Sequence, residues 1–274
     1  MTVIFTDLDG TLLDHDTYSW HAAQPALDLL QHQRIPWIPV TSKTRAEVEF
    51  WRRQLGNAHP FIVENGGAAY LPAGYFPSTM PAQHNEYEIK EWGTPYAALV
   101  VALQRASHSS GCRVRGFHEM TAPEVADLCE LSQEQAVLAK RREYDEPFVV
   151  LDPDRAGELA SAIEGQGLQI TRGGRFWHIL GANDKSVAVR ALIALFERQY
   201  GPVHSIGLGD GWNDASFLNA VSTPVLIRSP HVAELQRLVI HGTVTDRPGP
   251  AGWNESVLAL LEDEAKGGST ANAL

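Results

Sequence analysis

The stretch from Val3 to Thr11 reads Val-Ile-Phe-Thr-Asp-Leu-Asp-Gly-Thr and joins an apolar strand to a pair of carboxylates. A glycine follows the carboxylates and allows a sharp turn. Since alternate residues of a strand share a face, Asp7 and Asp9 could both enter one crevice at the end of this strand. In an open parallel sheet, the carboxyl ends of the strands are where ligands bind. The stretch therefore predicts a site at a strand end.

Strands and helices alternate on both sides of a middle section. The first block predicts a strand at 3–8, a helix at 20–32, a strand at 37–41 and a helix at 45–55. The last block predicts a helix at 185–200, a strand at 204–208, a helix at 214–220 and a strand at 224–227. This order is typical of an α/β fold with a Rossmann-like parallel sheet that helices cover on both faces.

The middle section has a looser order. It predicts helices at 96–107 and 123–141 and strands at 113–117, 148–151, 168–171 and 176–180, which together favour an inserted α+β domain. We expect a core made of residues 1–82 and 181–264, an insertion at 83–180, and a disordered tail at 265–274, where the sequence is small and polar.

Composition restricts the class of protein. The 274 residues carry a formal charge of -11, which argues against a nucleic-acid or anionic-membrane partner, because such a field repels a polyphosphate. No apolar run reaches the roughly 18 residues that span a bilayer, and the chain enters its first strand without a basic leader, so we expect a cytoplasmic protein. The two cysteines, Cys112 and Cys129, are too few for a disulfide framework and are read as ordinary thiols.

Four acidic residues predict a metal site. Asp7 and Asp9 repel each other unless a cation or proton lies between them, and Mg²⁺ suits such hard oxygen ligands. A carboxylate can also attack phosphorus while a second one moves the proton. Asp210 and Asp214 lie just past the strand at 204–208 and are placed to complete the site. The alternative is structural, with Asp9 in a simple turn and Asp7 as a cap.

Two further segments predict an anion site. Thr41 and Ser42 offer hydroxyls where the strand at 37–41 runs into a helix, and the free N–H groups of a helix start bind anions. The alternative is a helix N-cap. Lys185 opens a long helix, where a cation is unfavourable to the helix dipole unless it pairs with a carboxylate or phosphate. A solvated surface lysine is the alternative there.

Taken in order, these positions resemble the haloacid dehalogenase superfamily. The resemblance implies that Asp7 is the nucleophile and becomes an aspartyl-phosphate, and that Asp9 protonates the leaving oxygen. It also implies that Thr41 or Ser42 holds the phosphate with Lys185. Bound Mg²⁺ would be held by Asp7, by the carbonyl of Asp9 and by Asp210, with Asp214 in support. The insertion at 83–180 resembles the C2 cap that closes over the site and selects the substrate in this superfamily.

Within the cap, arginines beside glycines suit a carboxylate or a sugar, because guanidinium forks grip an anion that the glycine backbone lets approach. The candidates for this contact are Arg142, Arg172, Gly173, Gly174 and Arg175. A tight hairpin with exposed arginines is the alternative. These stretches, with Glu64-Asn65-Gly66-Gly67, are similar to the mannosyl-3-phosphoglycerate phosphatase family.

That resemblance implies hydrolysis of a small phosphorylated sugar-glycerate, 2-O-mannosyl-3-phosphoglycerate, to mannosylglycerate and phosphate. Two alternatives stay open. One is another sugar-phosphate phosphatase of the superfamily, acting on glucosyl-3-phosphoglycerate, sucrose phosphate or trehalose phosphate. The other is a non-catalytic module that binds a phosphorylated metabolite. The sequence does not determine the oligomeric state.

Overall fold

The structure, a computed structural model, describes residues 1–77, 86–173 and 176–271. It divides into two compact units, the first made of Met1–Pro39 and Ile193–Leu274 and the second of Val40–Leu192. Within the described ranges, no helix is long and apolar enough to cross a membrane.

Strands and helices alternate along most of the chain. The strands are β1 (Thr2–Thr6), β2 (Trp37–Pro39), β3 (Phe61–Val63), β4 (Ala68–Pro72), β5 (Tyr87–Glu91), β6 (Val114–Gly116), β7 (Asp145–Val150), β8 (Gln169–Gly173), β9 (Phe176–Leu180), β10 (His204–Gly209), β11 (Thr223–Arg228) and β12 (Thr243–Pro248). The helices are α1 (Gln24–Gln33), α2 (Arg45–Gln54), α3 (Tyr96–Ser110), α4 (Ala122–Cys129), α5 (Gln133–Ala139), α6 (Ala156–Glu164), α7 (Lys185–Tyr200), α8 (Ala215–Leu218), α9 (Val232–Leu238) and α10 (Gly249–Ala271).

The first unit is built on a parallel sheet with strand order β12-β11-β10-β1-β2. Strand β1, which lies between β10 and β2, is almost entirely buried, as its apolar sequence predicts. Trp253 of α10 is fully buried and donates from Nε1 to the hydroxyl of Thr6 at 3.0 Å, at the end of β1. The predicted parallel sheet is confirmed, and β1 delivers the Asp7 stretch at its carboxyl end.

The second unit contains two antiparallel sheets, β3-β4-β5 and β6-β7-β9-β8. The larger sheet is covered on both faces. Phe148 of β7 packs into a core with residues of α3 and α6, such as Leu103 and Leu159, whereas its neighbour Val149 packs against a separate cluster around Phe117. Successive residues of a strand point to opposite faces, so one strand contributes to both cores. This arrangement agrees with the predicted α+β insertion.

The helix predicted at 123–141 is wrong, because two helices, α4 and α5, occupy this segment. The break has a local cause. Glu130 takes a left-handed conformation with φ of 58° at the end of α4, and Ser132 forms a capping box with Gln135 that starts α5. An apolar periodicity that continues through the break hides it from the sequence pattern.

The chain end and the unit boundaries have the following bounds in the structure. Helix α10 continues to Ala271 and residues 272–274 lie outside the described chain, so the disordered tail at 265–274 stays a prediction. Once the helix is anchored by Trp253 and Leu261, each further residue adds a hydrogen bond without a new nucleation cost. The second unit begins at Val40 rather than at 83, so the expected cap lies wholly inside it.

We predict that Phe148→Ala lowers the free energy of unfolding by about 3–5 kcal/mol, because it leaves a cavity in the core beneath the larger antiparallel sheet. Leu151→Ala is the matched control, since Leu151 follows the same strand and is 48% exposed. It should change the free energy by less than about 0.5 kcal/mol. Urea unfolding of both variants measures the difference, and equal effects would contradict the assignment of this core.

Candidate active site

The end of β1 carries Asp7 into a tight turn. The N–H of Asp7 donates to the carbonyl of Leu208 at 2.9 Å, which continues the ladder to β10, and its side chain is only 6% exposed. Gly10 has a φ of 72°, and a Cβ there would lie 2.6 Å from Oδ2 of Asp210. The hydroxyl of Thr11 donates to the other oxygen of Asp210 at 2.9 Å. The turn and Asp210 therefore fit together closely.

The loop after β10 is organised by Asp214. The Oδ2 of Asp214 accepts the N–H groups of Asp210 at 3.0 Å and Gly211 at 2.9 Å, and the side chain is 1% exposed. A Cβ on Gly209 would lie 2.7 Å from the Cβ of Asp214. Glycine at this position lets Asp214 fold back under the loop, which fixes the backbone that carries Asp210.

Three carboxylates of the first unit converge. One oxygen each from Asp7, Asp210 and Asp214 lies within 4.8 Å of the other two. Negative charges at this separation, two of them on buried side chains, repel strongly unless a cation lies among them. Hard oxygen donors suit Mg²⁺, so these residues fit a divalent metal. The carboxylate of Asp9 is not one of the three, and its role stays a prediction.

The second unit carries Thr41 and Ser42. Thr41 is buried and its hydroxyl accepts the N–H of Lys43 at 3.2 Å, whereas Ser42 is half-buried. The N-cap of α2 is Thr44, which forms a capping box with Glu47. Helix capping is the alternative role predicted for Thr41 and Ser42. The structure gives that role to Thr44, so neither Thr41 nor Ser42 is the N-cap.

Lys185 also lies in the second unit, at the first position of α7. Its side chain is 1% exposed, so the alternative of a solvated surface lysine is wrong. The N-terminus of α7 is capped by Asp184, whose Oδ1 accepts the N–H groups of Ser186 at 2.6 Å and Val187 at 3.2 Å. Asp184 also offsets the unfavourable charge of a lysine at a helix start.

A strained turn packs against this helix start. Glu64 and Asn65 have φ of 47° and 56°, the left-handed region that side chains rarely adopt. A Cβ on Gly66 would lie 2.2 Å from the carbonyl oxygen of Asp184, so only glycine fits there. The Nδ2 of Asn183 donates to the carbonyl of Asn65 at 3.3 Å. The turn thus sets the position from which Lys185 extends.

The carboxylate of Glu64 is fully buried and accepts the N–H groups of Glu143 at 3.0 Å and Tyr144 at 2.7 Å. Burial raises the pKa of Glu64 to about 8, although the charge of Arg142 and these two N–H groups act in the opposite direction. A glutamate with such a pKa gains or loses its proton near neutral pH, which links this turn to pH.

Asp145 forms a second buried acidic contact. Its carboxylate lies 2.9 Å from Nδ1 of His178 and accepts the Nδ2 of Asn65 at 2.9 Å. Burial by itself would raise the pKa of Asp145, but His178, Arg142 and Asn65 together hold it below its usual value. Strands β7 and β9 are therefore joined to each other by this charged contact as well as by sheet pairing, and the Asn65 hydrogen bond connects the turn to β7.

The predicted cap arginines lie in different surroundings. Arg142 donates from Nε to the carbonyl of Ala139 at 3.0 Å and from Nη1 to the carbonyl of Ser42 at 2.8 Å. Arg172 is exposed, and its guanidinium lies 5.7 Å from the ring centroid of Trp177. Gly173 ends β8 opposite Phe176 of β9, so the two strands pair as the hairpin interpretation requires, while Gly174 and Arg175 lie outside the described residues.

The chain is similar to curated phosphatases over most of its length. It is 41% identical over 263 residues to a glucosyl-3-phosphoglycerate/mannosyl-3-phosphoglycerate phosphatase of Methanococcoides burtonii, covering 94% of this chain and 97% of the relative. It is 35% identical over 226 residues to a mannosyl-3-phosphoglycerate phosphatase of Pyrococcus furiosus, covering 82% and 90%. The chain belongs to the mannosyl-3-phosphoglycerate phosphatase family. No family model matches it.

Solved structures support the fold of this family member. A haloacid dehalogenase-like hydrolase from Bacteroides thetaiotaomicron aligns with a TM-score of 0.64 at 17% identity, covering 94% of this chain and 99% of that one. A sugar phosphatase of haloacid dehalogenase subclass IIB aligns with a TM-score of 0.63 at 16% identity, covering 96% and 99%. The superfamily fold predicted from the ordered motifs is confirmed.

Sequence reasoning did not single out several buried polar residues of this mannosyl-3-phosphoglycerate phosphatase family member. Glu64 and Asn65 belong to a stretch that contributed to the family resemblance, but their charge network gave no separate signal. Lys43, 5% exposed and 3.6 Å from Glu47, was hidden among hydroxyl residues. Asp145 and His178 could not be paired from sequence, because 33 residues separate them on strands whose register the pattern does not specify.

We predict that Gly10→Ala weakens the binding of Mg²⁺ by more than about tenfold, since a methyl group would displace Asp210 and the backbone would be strained. Gly74→Ala is the matched control, because Gly74 has a φ of 75° but no atom lies within 4 Å of the place a Cβ would take. Gly74→Ala should therefore show the effect of a strained backbone without the displacement of a neighbouring atom. Calorimetric titration with Mg²⁺ measures both, and unchanged binding in Gly10→Ala would contradict the metal assignment.

We also predict a pH-dependent effect of Glu64→Gln on stability. The pKa of Glu64 is about 8 in the folded chain and 4.5 as its ordinary value, so between these pH values the folded state binds more protons. Stability contributed by Glu64 is therefore present at pH 4.5 and is lost as the pH rises toward 8, by at most about 1.4 kcal/mol per pH unit.

The glutamine variant lacks this loss, so its free energy of unfolding relative to wild type should rise between pH 5 and pH 8. Urea unfolding at the two pH values measures the change, and Glu164→Gln, at an exposed position ending α6, is the control. A difference between variant and wild type that stays constant across this range would show that Glu64 does not titrate there.

Proposed function

We propose that the chain hydrolyses the phosphate ester of a glycosyl-3-phosphoglycerate, with 2-O-mannosyl-3-phosphoglycerate as the first candidate substrate. The observation that carries the proposal is the convergence of Asp7, Asp210 and Asp214 at the carboxyl ends of β1 and β10. The names of the relatives support the substrate class, and one of them includes the glucosyl compound. Glucosyl-3-phosphoglycerate is therefore the second candidate.

The reaction proceeds in two displacements. A carboxylate oxygen of Asp7 attacks phosphorus, the ester P–O bond breaks, and Asp9 gives its proton to the leaving oxygen. Asp9 then accepts a proton from water as the water oxygen attacks the same phosphorus, and the bond to Asp7 breaks. The products are the glycosylglycerate and inorganic phosphate, with Asp7 and Asp9 returned to their starting states.

Charge on the phosphoryl oxygens needs cations and N–H donors more than it needs covalent chemistry. The residues that would hold Mg²⁺ are Asp7, the carbonyl of Asp9 and Asp210, with Asp214 in support, and the metal would supply positive charge to the phosphoryl group. Asp214 would support the metal through the protein, because its carboxylate accepts the N–H groups of Asp210 and Gly211 and so fixes the loop that carries Asp210. Magnesium dependence belongs to the proposal.

Thr41, Ser42 and Lys185 are proposed to hold the phosphate. Within the described chain, neither the hydroxyl nor the N–H of Ser42 makes a hydrogen bond, so both are free to donate to an anion. Lys185 is proposed to act with them, because its ammonium is a buried cation at the start of α7 and cations stabilise charge on phosphoryl oxygens. Arg172, Gly173, Gly174 and Arg175 are proposed to contact the glycerate carboxylate or the sugar.

The mechanism predicts that Asp7→Asn lowers phosphate release by about a thousand-fold or more, because an amide cannot form the phosphoenzyme. Asp16→Asn, an exposed aspartate of the same unit, should leave the rate unchanged. Phosphate release is measured in the presence of Mg²⁺ with mannosyl- and glucosyl-3-phosphoglycerate, sucrose phosphate, trehalose phosphate and simple hexose phosphates.

Each outcome decides a different part of the proposal. Undiminished turnover by Asp7→Asn would reject the nucleophile. Hydrolysis of the two glycosyl-3-phosphoglycerates no faster than that of the other sugar phosphates would reject the substrate and leave a broader sugar-phosphate phosphatase. Binding of these compounds by the wild type with no release of phosphate would favour the non-catalytic module.

A further inference from the structure

Each of the three carbonyl oxygens of the loop 41–43 accepts a hydrogen bond from a distant part of the second unit. The bonds run from Asn65 N–H to Thr41 at 3.0 Å, from Arg142 Nη1 to Ser42 at 2.8 Å and from Glu64 N–H to Lys43 at 3.1 Å. Backbone carbonyls in loops are often hydrogen-bonded to water. Three consecutive carbonyls with donors from the protein indicate that the backbone of this loop is held in one orientation.

A planar trans peptide points its N–H away from its C=O. Fixing the carbonyl of Thr41 therefore fixes the direction of the Ser42 N–H, which makes no hydrogen bond within the described residues. The next N–H, of Lys43, donates to the hydroxyl of Thr41. Ser42 therefore has two available donors in the described chain, its N–H and its hydroxyl, and the direction of the N–H is set from outside the loop.

Arg142 supplies the middle of the three contacts, the one made by a side chain. Its Nε donates to Ala139, in the turn that ends α5, and its guanidinium lies 5.8 Å from the centroid of the Phe117 ring. Because the guanidinium is planar and rigid, fixing Nε also fixes where Nη1 points. Arg142 therefore holds the carbonyl of Ser42 from one defined direction.

Buried acids keep Arg142 in place. Asp145, Glu64, Glu47 and Glu146 all stabilise its charged form, and the pKa of Arg142 lies above its ordinary value although burial alone would lower it. The carboxylate of Glu64 also binds the two N–H groups that directly follow Arg142 in the chain. The guanidinium is thus surrounded by protein groups that satisfy it, in contrast to the exposed Arg172.

We propose that Arg142 is a positioning residue for the phosphate end of the substrate, acting through Ser42 and not through contact with the sugar or glycerate. The proposal rests on the proposed function, because it assumes that Ser42 binds phosphate. It assigns Arg142 a role that is common to all phosphate esters, whereas recognition of the organic half is left to Arg172 and its neighbours.

Arg142→Lys tests this role, because lysine keeps the charge but cannot donate to Ala139 and Ser42 from one rigid fork. We expect kcat/KM to fall by about 10- to 100-fold for glycosyl-3-phosphoglycerate and for p-nitrophenyl phosphate alike. The inhibition constant of inorganic phosphate should rise in parallel. Arg172→Ala should instead impair only the glycosyl substrate, and Arg141→Lys, at an exposed neighbouring position, should change neither.

Arg142→Ala with added guanidinium, at millimolar concentrations far below those that denature, separates positioning from folding. Recovery of p-nitrophenyl phosphate hydrolysis supports the proposal. A loss in Arg142→Lys confined to the glycosyl substrate would overturn it and assign Arg142 to the organic half. No recovery with guanidinium, together with a loss of activity that matches the unfolded fraction from urea unfolding, would also overturn it and leave a structural residue.

Failure of the proposed function can be distinguished from failure of the role proposed for Arg142. If the wild type hydrolyses no phosphate ester, calorimetric titration with inorganic phosphate still compares it with Arg142→Lys. Weaker binding by the variant supports positioning of Ser42 without turnover, and equal binding overturns it.

Discussion

The left-handed turn at Glu64 and Asn65 is the constraint on which the second unit depends. Two side-chain-bearing residues in this conformation cost about 1–3 kcal/mol each, and the surrounding contacts must offset that cost. Their N–H groups hold the loop 41–43, the Asn65 carbonyl and Gly66 hold the start of the helix that carries Lys185, and the Glu64 carboxylate holds the backbone after Arg142. Three sequence-distant segments are therefore positioned by one turn.

In the first unit, the fold brings together carboxylates that repel one another. Asp7, Asp210 and Asp214 are brought together by β1, β10 and the loop after it, although their charges oppose this arrangement. Glycines at 10 and 209 make the approach possible, and hydrogen bonds from Thr11 and from two backbone N–H groups direct the carboxylates. Because a bound cation removes the repulsion among the carboxylates, this arrangement favours the binding of a divalent metal.

The sequence predicts those elements and site residues that depend on a local pattern. Periodicity and turn chemistry predicted the strand that leads into Asp7-Leu8-Asp9-Gly10-Thr11, the long helix from Lys185 and the parallel sheet. The break between α4 and α5 was missed because its apolar pattern continues, and a capping box decided the outcome. The network of Glu64, Arg142 and Asp145 was missed because its contacts join residues about 80 to 100 positions apart, which no spacing rule relates.

The proposed mechanism requires that Asp7 becomes phosphorylated during turnover. Rapid acid quenching of the chain with glycosyl-3-phosphoglycerate and Mg²⁺, followed by borohydride reduction of acyl phosphates and peptide mass spectrometry, tests it most directly. We expect conversion of Asp7 to homoserine that requires substrate and disappears when the substrate is exhausted. Reduction at another carboxylate, such as Asp9 or Asp210, or at none while phosphate is released, would contradict it.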